Sequence, residues 1–134
     1  MIFQRNLKFS GKMHNTYLIF VYLFSRIPFL FNGYGLDADA WRTIDMGLIF
    51  LESGEYNVRG YPGYPLYELL IYLISDKGAF ITNSISAISG FLGIIIFKKI
   101  LESHLNCQKN ISFFVSLILC FTPAIWIASV TTMD

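Results

Sequence analysis

Apolar side chains run through this sequence in three long stretches, at about 15–31, 79–97 and 111–130, with a shorter fourth at 65–74. The second and third approach the roughly 20 residues with which a helix crosses about 30 Å of hydrocarbon. The first is interrupted near its far end by Arg26 and Pro28. The fourth rises only about 15 Å as a helix, too little to cross alone. The pattern predicts an all-α membrane protein with about three transmembrane helices. The fourth piece is expected to lie in the interface or to pack on the spans.

The segment 32–78 reads differently. Asp37 suits a helix N-cap, and Asp39 falls in the first turn, where a carboxylate favours the positive end of the helix. Trp41, Ile44, Leu48 and Leu51 then recur at near-helical spacing as one apolar stripe. Arg42 stands three residues after Asp39 and three before Asp45, in position for ion pairing along the helix. Gly54 is a natural stop. These signals predict two short extracytoplasmic interfacial helices, about 37–53 and 64–75. Between them, the prolines and glycines of Gly60-Tyr61-Pro62-Gly63-Tyr64-Pro65 predict a firm turn.

Composition agrees with the apolar runs. Hydrophobic residues make up 54% and charged residues 14% of the chain, against the roughly 25% charged residues of soluble domains. The basic residues are scattered, which argues against a nucleic-acid partner. Their placement instead orients the spans. Arg5, Lys8 and Lys12 precede the first run, and Lys98, Lys99 and Lys109 separate the second from the third. With three spans both groups are cytoplasmic, as basic segments prefer, and the loop 32–78 is extracytoplasmic. A crossing by 65–74 would put the lysine-rich turn outside. No small-x-small cleavage site follows the first run, so it reads as a retained span rather than a signal peptide. Cys107 and Cys120 form no metal motif, and Cys120 reads as a small buried or lipid-facing residue. His14 and His104 are expected to be solvated.

Seven of the nine acids fall between residues 37 and 76. A chain this apolar that gathers its carboxylates in one loop invites a chemical reading. The loop also carries a resemblance. A first span ending in arginine and proline is followed by the pair Asp37 and Asp39, an amphipathic helix, Gly54-Glu55-Tyr56 and Pro62-Gly63-Tyr64-Pro65-Leu66-Tyr67. This combination is similar to the beginning of a GT-C glycosyltransferase of the protein O-mannosyltransferase-like, dolichyl-phosphate-mannose-dependent kind. The tail from Phe121-Thr122-Pro123 to Met133-Asp134 resembles the third span of that group running into its next outer loop.

The resemblance implies a membrane enzyme that transfers a sugar from a polyprenyl-phosphate donor on the extracytoplasmic side, with an essential acid in the first outer loop. By position that acid is Asp39 or Asp37. GT-C enzymes have eight or more spans, so 1–134 is expected to be one transmembrane domain forming an N-terminal portion, inactive without the remaining transmembrane helices.

The residue chemistry is compatible with this. A carboxylate can take the proton of an acceptor hydroxyl. An arginine can hold the departing phosphate through forked hydrogen bonds, and Arg26, Arg42 and Arg59 are the candidates. Arg26 could equally snorkel to the outer headgroups. Tyr64 and Glu68 complete the candidate substrate contacts. Asp37 and Asp39 also offer oxygen ligands to a divalent cation, Mg or Mn, provided Asp37 stands outside the helix as its cap. Two other classes remain open on sequence: a piece of a multispan transporter, or a small non-catalytic membrane protein working with partners.

Overall fold

The computed structural model describes residues 11–35, 37–57 and 64–132. Arg59 and the Tyr61-Pro62-Gly63 turn therefore lie outside the described residues, as do Met133 and Asp134. Every regular element among the described residues is helical. The helices are α1 (Gly11–Arg26), α2 (Ala38–Ser53), α3 (Pro65–Tyr72), α4 (Ala79–Ser103), α5 (Lys109–Cys120) and α6 (Pro123–Ala128). Single tight turns at Ile27–Phe29 and Ser75–Lys77 follow α1 and α3.

Helices α1, α4 and α5 pack on one another. α1 buries one side chain every fourth residue, His14, Leu18, Tyr22 and Arg26, which is the i, i+4 ridge of a helix–helix seam. α5 answers with the smaller ridge Ser112, Ser116 and Cys120. His14 stacks on Phe113 at one end of this seam, and Arg26 reaches Cys120 at the other, so α1 and α5 run parallel. α4 runs against them. Tyr22 donates to the Ala87 carbonyl (2.8 Å), while Asn83, nearer the start of α4, donates to the carbonyls of Leu30 (3.1 Å) and Gly33 (2.8 Å). His14, expected to be solvated, is instead buried at 5% exposure, with its ring stacked on Phe113.

The bundle interior is mixed. Inside lie Leu18, Tyr22, Ala87 and Ile94 together with Thr82, Asn83, Ser86, Ser112 and Ser116, and outside lie Phe20, Phe24, Ile88, Leu92, Ile96, Phe114 and Ile118. Among the described residues one helix, α4, is long and apolar enough to cross a membrane; its 25 residues rise about 38 Å. The helix expected over 79–97 therefore continues for almost two further turns.

The other two runs differ from a simple three-helix expectation. α1 begins earlier and ends at Arg26, where Pro28 introduces the tight turn. The run 111–130 is two helices rather than one. Pro123 has no N–H to continue α5, and it drives the preceding Thr122 to an extended conformation (φ −61°, ψ 127°).

α2 and α3 form a separate pair beside the bundle. The bounds of α2 follow its local signals. Asp37 Oδ1 accepts from the Asp39 N–H (2.8 Å), and Gly54 ends the helix at φ 75° with its N–H on the Phe50 carbonyl. The face packed within the protein shares only Ile44 with the apolar stripe. It is Ala40, Thr43, Ile44 and Gly47, whereas Trp41, Leu48 and Leu51 face outward. Small residues win the contact because they let the backbones approach. A Cβ on Gly47 would stand 2.8 Å from the Ser75 side chain and 3.0 Å from the Tyr72 Cα.

Candidate functional site

The acidic pair divides its tasks. Asp37 sits before α2 with extended backbone and spends one oxygen on the Asp39 N–H. Asp39, half-exposed in the first turn, points to Arg42 at 3.4 Å. Thr43 donates to the Asp39 carbonyl (2.8 Å), and the Trp41 indole donates to the Gly35 carbonyl (3.1 Å), which fixes the first turn of α2 against the strand of chain leaving α1. Gly35 itself passes close to Thr131: a Cβ there would lie 3.0 Å from the Thr131 methyl. The start of α2 is thereby held near the end of α6. Among the described residues no group of three His, Cys, Asp or Glu side chains converges on one point. A cation at Asp37 and Asp39 would take its other ligands from water or substrate.

Arg26 occupies a different place. It is 1% exposed. Its guanidinium donates to Ser25 Oγ (2.7 Å), Cys120 Sγ (3.2 Å), the Cys120 carbonyl and Ser129 Oγ (3.3 Å). Tyr22 and Phe121 cover it at 4.2 and 5.5 Å from their ring centres. No carboxylate lies within ion-pair distance of it among the described residues. The carbonyl it binds is one that an unbroken helix would satisfy internally. The break at Pro123 frees that carbonyl, and Arg26 occupies it.

Glu68 is also buried, at 1% exposure, and not a surface residue at a helix end. Its Oε2 accepts from the Tyr56 hydroxyl (2.6 Å) and its Oε1 from the Tyr64 N–H (3.3 Å). One turn on, the Tyr72 hydroxyl donates to the Asn57 carbonyl (2.8 Å). The chain on both sides of 58–63 is thus tied to α3. The Tyr56 phenol is pushed up to about 12, first by its hydrogen bond to the Glu68 carboxylate.

A groove of about 300 Å³ opens between α3, α4 and α6. Tyr64 and Tyr67 form one wall, Ser86, Ser89 and Gly90 the floor, and Ile125, Ala128 and Ser129 the other wall. Tyr64 is the sequence-selected residue that lines it. Sequence reasoning missed Tyr22, Asn83, Tyr56 and Ser129; the one available signal was the proline at 123, which announces a freed carbonyl nearby. The arrangement brings Asp37, Asp39 and Arg42 together, and separately Glu68 with Tyr64. No family model, no curated protein and no solved structure matches the chain.

Proposed function

We propose that the chain is a multi-pass membrane protein with a cytoplasmic N-terminus, forming the N-terminal portion of a glycosyltransferase that uses a polyprenyl-phosphate-linked sugar. The membrane part is supported by the outward faces: large apolar side chains face out along α1, α4 and α5, and the contacts of α4 and α5 include the small polar residues Thr82, Ser86, Ser112 and Ser116, which helix contacts in lipid favour. The directions of the three helices put Lys98, Lys99 and Lys109 at one end and the acidic segment at the other, in keeping with the preference of basic residues for the cytoplasm.

One observation carries the catalytic part: Asp37 is engaged as the cap, which leaves Asp39 beside Arg42 as an accessible acid–arginine pair at the head of α2. Asp39 takes the proton of the acceptor hydroxyl. The acceptor oxygen bonds to the sugar anomeric carbon, the bond from that carbon to the phosphate oxygen breaks, and the lipid phosphate leaves with the bonding pair. Arg42 offers the leaving phosphate its charge. Arg26, whose donors are engaged within the protein, is not assigned that task. A divalent cation on Asp37 and Asp39 would add to the same charge stabilisation.

The test uses membranes carrying the protein with all spans its reading frame encodes, a polyprenyl-phosphate-linked sugar, and Asp39→Asn and Asp37→Asn variants. Loss of a positioned base lowers the rate by about 10²- to 10⁴-fold. That loss is expected for Asp39→Asn, with the protein still folded. Transfer at the parental rate in both variants overturns the reading.

A further inference from the structure

Near the start of α4, the fully buried side chain of Asn83 meets the chain leaving α1 and the chain beyond α6. Its amide nitrogen donates to the carbonyls of Leu30 (3.1 Å) and Gly33 (2.8 Å), and its Oδ1 accepts from Thr132 Oγ1 (2.7 Å). Two carbonyls on one side of the amide decide which end is the nitrogen. The two carbonyls differ in need. Leu30 is already seated in the core by its own side chain. Gly33 has no side chain to pack and turns at φ 79°, so its carbonyl is the handle by which 31–35 is held to α4. From there the contacts run toward α2. Tyr34 stands edge-on to Trp41 at 5.1 Å, and the Trp41 indole donates to the Gly35 carbonyl. Gly35 passes close to Thr131, the neighbour of the threonine that holds Asn83.

We propose, resting on the reading of Asp39 as the base, that Asn83 is the positioning residue of the Asp39–Arg42 pair. Asn83 touches neither of them. It holds Gly33, the loop carries Gly35, and Trp41 sets the first turn of α2 on Gly35. Asp39 and Arg42 flank that tryptophan in sequence and pair across it at 3.4 Å. The body of α2 has a separate support, since its buried face packs on α3 and on the turn at Ser75–Lys77. Loss of the Asn83 fork therefore releases the head of α2 while its body stays in place. A base that must meet an acceptor hydroxyl tolerates little drift, because a misplacement of about 1 Å costs about 10²-fold in rate.

Two variants test this. Asn83→Ser removes the fork and keeps a small polar group; Thr132→Val removes only the hydroxyl that steadies Oδ1. The first readout needs no sugar transfer. In the whole protein, with tryptophan labelled by heavy nitrogen and held in lipid nanodiscs, the Trp41 indole resonance is assigned by its loss in Trp41→Phe. Asn83→Ser should shift that resonance and speed its solvent exchange by about two- to tenfold, the effect of one neutral hydrogen bond. Thr132→Val should act in the same direction by less. The second readout is transfer from a polyprenyl-phosphate-linked sugar. Asn83→Ser should lower kcat by about 10- to 100-fold in the parent protein. In the Asp39→Asn background it should leave the residual rate unchanged, because residues that act as a unit are not additive. A Trp41 resonance unmoved by both variants, or an equal fall in transfer with and without Asp39, overturns the positioning role. Asp39→Asn at the parental rate, with a Trp41 resonance that still responds to Asn83→Ser, refutes the base and the positioning role together and leaves the link from Asn83 to α2 as structure alone.

Discussion

Tyr56 and Glu68, twelve positions apart, meet in a 2.6 Å hydrogen bond that joins a partly exposed phenol to a buried carboxylate. The bond needs the phenol proton, so it lifts the Tyr56 ionisation from the ordinary 10.0 to about 12. The sign follows. Its stabilisation is complete below pH 10 and is lost as the pH climbs through 12. Ultraviolet difference titration against a Tyr56→Phe variant should isolate this late ionisation, and Glu68→Gln should bring it back toward the ordinary value. A Tyr56 component already near 10 in the parent protein contradicts the contact.

If Arg26 is structural, its removal shows in stability. Arg26→Met deletes the bonds to Cys120 and Ser129 and leaves a buried carbonyl without a donor. Hydrogen bonds from charged groups are worth about 1.5–3 kcal/mol, so a loss of that size is expected in detergent unfolding curves. Arg26→Lys should recover only part of it, since an ammonium cannot reproduce the fork that meets Ser25, Cys120 and Ser129 together. A fully stable Arg26→Met protein would return this arginine to the list of substrate ligands.

Gly47 is where α2 touches the turn after α3. A methyl there would sit 2.8 Å from Ser75 and 3.0 Å from backbone at Tyr72, so one of the two helices must shift. Overpacking of this sort costs about 1–3 kcal/mol. Gly47→Ala should therefore raise protease sensitivity in α2 and α3 and leave the α1–α4–α5 bundle intact.

Ile44, at 3% exposure, and Leu48, at 40%, offer a matched pair on α2. Burying a side chain like isoleucine contributes about 1.5–3 kcal/mol. Ile44→Asp should release α2 from α3, while Leu48→Asp should leave the pair folded and weaken only contact with an apolar surface. Limited proteolysis of both variants distinguishes them; equal damage would restore the outward stripe as the packing face.

Cysteine labelling checks the orientation of the spans. With Cys107 and Cys120 replaced by serine, a cysteine at position 57 should react with an impermeant reagent from outside the cell and one at position 104 should not. The opposite pattern would invert the proposed topology.

The parts legible in the sequence are those decided within a few residues. The Asp37 cap and the Gly54 stop each depend on one local hydrogen bond, and the bounds of α2 came out within a residue of expectation. Thr122-Pro123 was likewise a local signal for a break, but the apolar run on both sides masked it. The face that α2 packs on its neighbours was not legible in the apolar stripe. Only Ile44 of that stripe is buried, and the close contact belongs to the small residues Ala40, Thr43 and Gly47, whose role depends on what packs against them. The Arg26 node was beyond sequence reasoning. Its partners stand 94 and 103 positions away, and no periodicity connects them.

The absence of a carboxylate beside Arg26 among the described residues has its own logic. α1 and α5 run parallel, and both end at this residue. Each helix presents the negative end of its aligned peptide dipoles there, equivalent to roughly half an elementary charge apiece. Together they amount to about one negative charge, so the counter-ion of the buried guanidinium is the backbone itself. A carboxylate in that position would be discharged by acid. Peptide dipoles carry no proton to gain or lose, so the junction that joins the two helix ends should hold across the acidic range in which ordinary ion pairs fail.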